Sequence, residues 1–172
     1  MDLGSDRVHM VSTGKGATTC GYFFPGDRRV LYSSTHASGP SCPPKPKREG
    51  AYRWALDDYD IYAVGMDGQE MQRLTSTPGY DAEATLSPDG KTIVWTSVKD
   101  GDLDLYAMNL DGSKPRRLTS EIGYDGGAFF SPDSTRIVYR AAHPTDQAEI
   151  DKYQDLLKQS LVEPGQLEIF VM

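Results

Sequence analysis

The chain is poor in the residues that usually announce chemistry. It has two cysteines and three histidines in 172 residues. That is too few for a disulfide-stapled scaffold or a cysteine-rich zinc fold. No apolar run approaches the roughly 20 residues that a membrane-spanning helix needs. The opening "MDLGSDRVHM" has no apolar signal-peptide core, although a leader can stand upstream of a partial chain. Basic residues number 18 against 25 acidic ones, a net charge of −7. Such a balance speaks against nucleic acid as a partner, because phosphate binding needs a basic footprint. There is no Gly-x-Ser-x-Gly elbow, no phosphate-cradling Gly-rich loop and no His-Glu-x-x-His zinc motif.

What the chain has in abundance is itself. "YDAEATLSPDGKTIVWTS" (Tyr80 to Ser97) returns as "YDGGAFFSPDSTRIVYRA" (Tyr124 to Ala141), 44 residues later. "DYDIYAVGMDGQEMQRLT" from Asp58 returns as "DLDLYAMNLDGSKPRRLT" from Asp102 at the same spacing. A weaker copy, "FPGDRRVLYSS" (Phe24 to Ser34), precedes "SPDGKTIVWTS" by 63 residues. The excess falls in "THASGPSCPPKPKREGAYRWA", an insertion. A fixed period of this length marks a repeat architecture.

Each unit reads as four short strands. Asp81, Glu83 and Thr85 alternate with Tyr80, Ala82, Ala84 and Leu86, the period of a strand. "SPDG" is a turn in which Pro88 presets φ and Gly90 permits positive φ. "TIVWTS" is an apolar run suited to a strand buried on both faces. "DLDLYAMN", the Asp111-Gly112 turn and "PRRLT" complete the set. Four antiparallel strands per 40–45 residues is the arithmetic of a propeller blade. A blade is apolar on both faces and must stack on neighbours. The expected fold is therefore all-β, with units near residues 14–75, 79–119 and 123–172, about two and a half blades. Small residues suit the innermost strands: Ala82 and Ala84 in one copy, Gly126, Gly127 and Ala128 in the other.

The motif "SPDGKTIVWTS…DGDLDLYAMNLDGSKPRRLT" resembles the TolB-like β-propeller repeats, and more distantly the propeller domains of prolyl-oligopeptidase-type peptidases. The resemblance runs from about Arg7 to Met172. It implies a six-bladed ring, a location outside the cytoplasm and use as a protein-binding scaffold. A ring of six such units is far longer than 172 residues. "RVHMVST" (Arg7 to Thr13) aligns with the last strand of a blade, and "LEIFVM" (Leu167 to Met172) with a third strand. The expectation is a piece of a longer propeller, or chains that close a ring together. In either case the open edges invite self-association.

Two insertions decorate the repeat. Residues 35–56 are rich in Pro, Gly, Ser and Lys, a surface loop of polyproline character. Residues 142–166 hold Ile150, Tyr153, Leu157 and Leu161 at helical spacing, with Asp146 and Glu149 as a capping-box variant and Pro164 as the stop. An amphipathic helix lying over a blade follows, either a packed cap or a docking surface for a partner. Cys20, in an inner strand, and Cys42, in the Pro-rich insertion, are candidates for a disulfide that ties the insertion down. Closing their loop stabilises by roughly 3 kcal/mol in the chain-entropy model.

Candidate site residues are few. Asp81 and Asp125 are equivalent, and Glu83 lies beside the first. If the inner-strand starts ring a channel mouth, these carboxylates suit Ca²⁺ or a basic peptide segment. The alternative is structural, with each Asp satisfying amides of a neighbouring blade. His36 follows a strand near acidic positions and is the histidine best placed for a metal or ligand. "DGDLD" (Asp100 to Asp104) begins like a calcium loop, but Leu105 stands where the sharp turn needs Gly, so a polar turn is expected. Three functions fit: a non-catalytic envelope scaffold, the propeller domain of a peptidase whose catalytic domain follows, or a metal-dependent propeller enzyme using the mouth carboxylates.

Overall fold

The computed structural model describes residues 8–26, 28–47, 50–163 and 165–172. Its strands are β1 (Thr18–Phe23), β2 (Arg29–Ser34), β3 (Trp54–Ala55), β4 (Asp60–Gly65), β5 (Gln72–Arg73), β6 (Asp81–Leu86), β7 (Thr92–Ser97), β8 (Asp104–Asn109), β9 (Arg116–Arg117), β10 (Tyr124–Phe130), β11 (Ile137–Ala142), β12 (Leu161–Val162) and β13 (Glu168–Val171). One helix, α1 (Gln147–Leu157), precedes β12. The repeats fold into antiparallel sheets ordered β1-β2-β4-β5, β6-β7-β8-β9 and β10-β11-β13. These are two four-stranded blades and a three-stranded one.

Register repeats along with sequence. Val30 faces Val64 across the first blade. Ile93 faces Met108 across the second, and Tyr139 faces Phe170 across the third. The turns repeat too. Ser87 Oγ accepts the Thr92 amide at 2.9 Å, and Ser131 Oγ accepts the Arg136 amide at 3.0 Å. Asp133 caps the second of these turns. Hydrogen bonds from Ser131 and Thr135 hold its carboxyl down at about 2.

The apolar faces meet between blades. Leu31, Ile61 and Ala63 of the first blade pack on Ala84, Leu86, Ile93 and Trp95 of the second. Val94 and Leu105 of the second pack on Ala128 and Ile137 of the third. Each such Leu or Ile, fully buried, contributes about 1.5–3 kcal/mol of transfer free energy.

Strict alternation does not hold in the innermost strands. The pairing of β6 with β7 slips between Ala82 and Thr85. The same slip occurs at Thr19/Tyr22 in β1 and at Gly126/Phe129 in β10. Each slip is a β-bulge whose turning residue has positive φ: Cys20 at 55°, Glu83 at 57° and Gly127 at 60°. Only the third copy places glycine in this left-handed conformation, the residue for which it carries no Cβ penalty.

The insertions are not independent decorations. β3 from the first pairs antiparallel with β12 from the second, Leu161 facing Ala55 and Val162 facing Trp54. The Leu56 amide donates to the Ser160 carbonyl at 2.8 Å. Beneath this clasp, Leu56, Val162, Leu103 and Tyr124 form a buried cluster with Trp54, Tyr153 and Leu157 packed against it. Asp146 is the N-cap of α1, accepting from the Ala148 and Glu149 amides. Leu161, expected on the helix face, lies in β12 instead, because the helix ends at Leu157 and the chain turns to pair with β3. Residues 8–13 form no strand, and Val11 packs on the Tyr32, Tyr62 and Val64 cluster. Arg7 and Pro164, the expected strand start and helix stop, lie outside the described residues. Among the described residues, no helix is long and apolar enough to cross a membrane.

Candidate functional site

The carboxylates expected at a channel mouth are inside the protein. Asp81 is 1% exposed and Asp125 0%. Asp81 accepts from the Trp95 indole at 3.0 Å and the Thr77 hydroxyl at 2.7 Å. Asp125 Oδ1 lies 3.0 Å from His143 Nε2, and the other imidazole nitrogen lies 3.1 Å from Glu121. Burial pushes the Asp125 carboxyl above its usual range. Asp81 and one oxygen of Asp125 are therefore held by partners within the fold, while Asp125 Oδ2 is buried without a hydrogen-bond partner. Among the described residues no group of three or more His, Cys, Asp or Glu is placed to hold a metal.

Sequence reasoning passed over a second set of repeated aspartates, and these lock the blades together. Asp58 accepts the Gly79 amide at 2.8 Å, and Asp102 accepts the Gly123 amide at 3.1 Å. Each reaches from one blade to the entry of the next. Their 44-residue spacing was in plain view in "DYDIYA" and "DLDLYA". Two positions on, Asp60 pairs with Arg73 at 2.6 Å and Asp104 with Arg117 at 2.5 Å. Burial drives both carboxyls up, Asp104 to about 6, with the paired arginine opposing. Asp102 also accepts the Tyr153 hydroxyl at 2.5 Å, which moors α1 to the seam.

Glu83 is the one predicted residue that organises a site. The bulge turns its side chain towards the third blade. There it accepts from the Gly127 amide at 2.9 Å and the Tyr124 hydroxyl at 3.1 Å, and pairs with Arg140 at 2.7 Å. It also accepts from Thr96 at 2.9 Å. The Arg140 guanidinium lies 5.5 Å from the Trp54 ring centre and 5.6 Å from that of Tyr124. Its Nε donates to the Tyr124 hydroxyl at 3.2 Å. Trp54 comes from the first insertion, so three distant segments converge on one guanidinium. Burial raises the Tyr124 hydroxyl well above its ordinary value.

This pair is shared by two cavities. One, of about 520 Å³, runs along the inner strands and is walled by Cys20, Tyr22, Thr85 and Phe129. The other, of about 680 Å³, lies under the Pro-rich insertion. The structure brings Glu83 together with Tyr124 and Arg140, places Cys20 and Cys42 in the walls of the two cavities, and leaves Asp81, Asp125 and His36 out of their lining. The His36 ring lies 4.3 Å from the Tyr62 ring, tilted by 38°, and bonds Ser34 at 3.0 Å, with burial lowering its affinity for a proton. Cys20 and Cys42 are free thiols, not the expected disulfide. Cys42 Sγ instead meets the Gly16 carbonyl at 3.1 Å, and Cys20 Sγ lies 3.3 Å from the Thr19 hydroxyl.

Comparison with known proteins agrees with the blades. A family model described as the TolB beta propeller domain matches residues 53–163. The chain is 34% identical over 79 residues to a curated protein called Protein TolB homolog from Chlorobium luteolum, covering 44% of this chain and 18% of that one. It thus spans less than a fifth of that relative's length. Among solved structures it is similar to TolB from Acinetobacter baumannii, with a TM-score of 0.57, 20% identity, and coverage of 74% of this chain and 27% of that one. A puromycin-hydrolyzing peptidase from Mycobacterium tuberculosis gives a TM-score of 0.56 at 14% identity, covering 90% of this chain and 23% of that one. Both structures speak for the fold alone.

Proposed function

The chain belongs to the TolB beta-propeller family, and on that footing we propose that it is part of a non-catalytic propeller scaffold that engages a protein partner in the bacterial cell envelope, outside the cytoplasm. The observation that carries this reading is the clasp of the two insertions. Segments from two different blades pair through β3 and β12 and bury a common apolar cluster against the second blade. That arrangement ties the end of the insertion to the propeller, and tethering a loop lowers the ordering cost of binding. The repeated acids support it from the other side. Asp81, Asp125, Asp60 and Asp104 are buried and each is held through at least one oxygen by a partner within the fold, which supports a structural role for these four acids.

The test is a photo-crosslinking amino acid at Tyr52, which is 63% exposed on the insertion, in the full-length protein expressed in its host. A discrete crosslinked envelope protein is expected. The same probe at Lys114, exposed in the turn between β8 and β9 of the second blade, should not give that product. Equal labelling from both positions, or none from Tyr52, would sink the scaffold reading.

A further inference from the structure

The cavity under the Pro-rich insertion has a chemistry that protein docking does not require. Its wall includes Pro43, Pro44, Lys45 and Pro46. Proline has no N–H, so only Lys45 among these four carries a backbone donor. This short stretch of the wall therefore offers four carbonyl acceptors and a single backbone donor. A peptide strand lying along this stretch finds too few N–H groups for a ladder, whereas a hydroxyl group can donate to its carbonyls. The lining also includes aromatic rings, Tyr52, Trp54 and Tyr124 among them, flat apolar surfaces that suit the C–H face of a sugar ring. The volume of about 680 Å³ falls within the range of small-ligand sites.

The charge of the cavity runs against that of the protein. The chain carries −7 overall, yet the cavity gathers Lys45, Lys47, Arg53 and Arg140 against Asp57 and Glu83. Arg140 is preorganised at the floor, its guanidinium held by Glu83 and Tyr124 and flanked by two rings. Five N–H groups on one guanidinium exceed the bonds these two partners take, which leaves donors for a ligand carboxylate.

We propose that this cavity binds an acidic oligosaccharide, its sugar rings on the aromatic wall, its hydroxyls on the proline carbonyls and its carboxylates on Lys45, Lys47 and Arg140. This goes beyond the scaffold reading and does not depend on it. The test is isothermal titration of the purified chain with trigalacturonate, with maltotriose as the neutral sugar and oligoglutamate as the acidic peptide. Trigalacturonate should bind, more weakly at higher salt, and maltotriose should not bind measurably. Lys45→Gln with Lys47→Gln should weaken binding on the order of tenfold at low salt, from two exposed ion pairs. Tyr52→Ala should weaken it by a comparable factor through the lost ring. Arg140→Gln strands Glu83 and threatens the fold, so the two exposed-loop variants carry the decision. No binding of trigalacturonate overturns the proposal. So does binding unmoved by both variants, or oligoglutamate bound equally well, which would mean that the cavity reads charge without reading sugar.

Discussion

The second and third blades present the same three positions to their downstream side, with opposite fates. Val94, Leu105 and Ala107 are 0%, 0% and 1% exposed, while Val138, Ile169 and Val171, their counterparts in register, are 38%, 71% and 64% exposed. The strands that carry them pair alike and have the same apolar character. Only the neighbour differs. The third blade covers the first set, and nothing among the described residues covers the second. A blade's sequence thus specifies a sticky face, and stacking decides whether that face contributes stability.

The largest effect expected from this contrast is a pair of truncations. Leu105→Ala removes a fully buried side chain from the seam and should cost about 2–5 kcal/mol. Ile169→Ala, at the matching place on the open face, should change stability by less than about 0.5 kcal/mol. Urea denaturation of both variants checks the ratio. Equal costs would mean that the open face is packed in solution.

A pH titration sharpens the comparison within the seams. Burial raises Asp104 from 3.8 to about 6. The folded chain then binds more protons than the unfolded chain between those values, so this group's contribution to stability falls as pH rises from about 4 to about 6. Asp104→Asn, which resembles the neutral acid, lacks that slope. The advantage of the native chain over this variant should therefore shrink by roughly 2 kcal/mol between pH 4 and pH 7. Urea midpoints at four pH values would show it. A difference that does not vary with pH would mean that Arg117 keeps Asp104 ionised throughout.

The two seam locks should also separate. Asp102→Ala frees the Gly123 amide and leaves the Tyr153 hydroxyl only the Gly123 carbonyl, 2.7 Å away, at about 1–3 kcal/mol. Asp58→Ala frees the Gly79 amide and the exposed Ser38 hydroxyl, and should cost less because water replaces the serine contact. Adding Tyr153→Phe to Asp102→Ala should cost far less than the two changes summed, since the two side chains share one hydrogen bond. Strict additivity would mean that the helix is not moored through Asp102.

The blades were legible because their physics is local. The 44-residue period, the "SPDG" turn and the apolar run "TIVWTS" each encode a strand or turn within a few residues. The strand pairing follows from that, down to Tyr139 facing Phe170. The site was less legible, for three physical reasons. A bulge adds a residue, so alternation placed Glu83 beside Asp81 and Thr85 when its side chain in fact crosses to the third blade. The Trp54–Arg140 contact joins residues from separate insertions, and no periodicity links them. Asp81 and Asp125 read as available acids because sequence shows their spacing and not the Trp95 and His143 side chains that occupy them. The repeated Asp58 and Asp102 could have been found, since any polar residue kept in register between copies is a candidate for the seam.

The smallest expected change in stability is also the sharpest probe of the open face. Ile169→Lys puts a charge on a position that is 71% exposed, where water solvates it, and should shift stability by no more than about 0.5 kcal/mol. Leu105→Lys would bury the same charge without a partner and should unfold the chain. The two differ in what they do to assembly as well. β13 pairs with β11 on one edge only, and an unpaired edge beside exposed Phe129, Val138 and Val171 is a template for a second chain. Light scattering of the wild-type chain should therefore show mass rising with concentration, and Ile169→Lys should hold it at the monomer, because a lysine on each copy sets like charges against one another. If the native chain is monomeric at every concentration, the exposed face is inert towards its own copies, and the stickiness of a blade needs a complementary blade and not merely another apolar sheet.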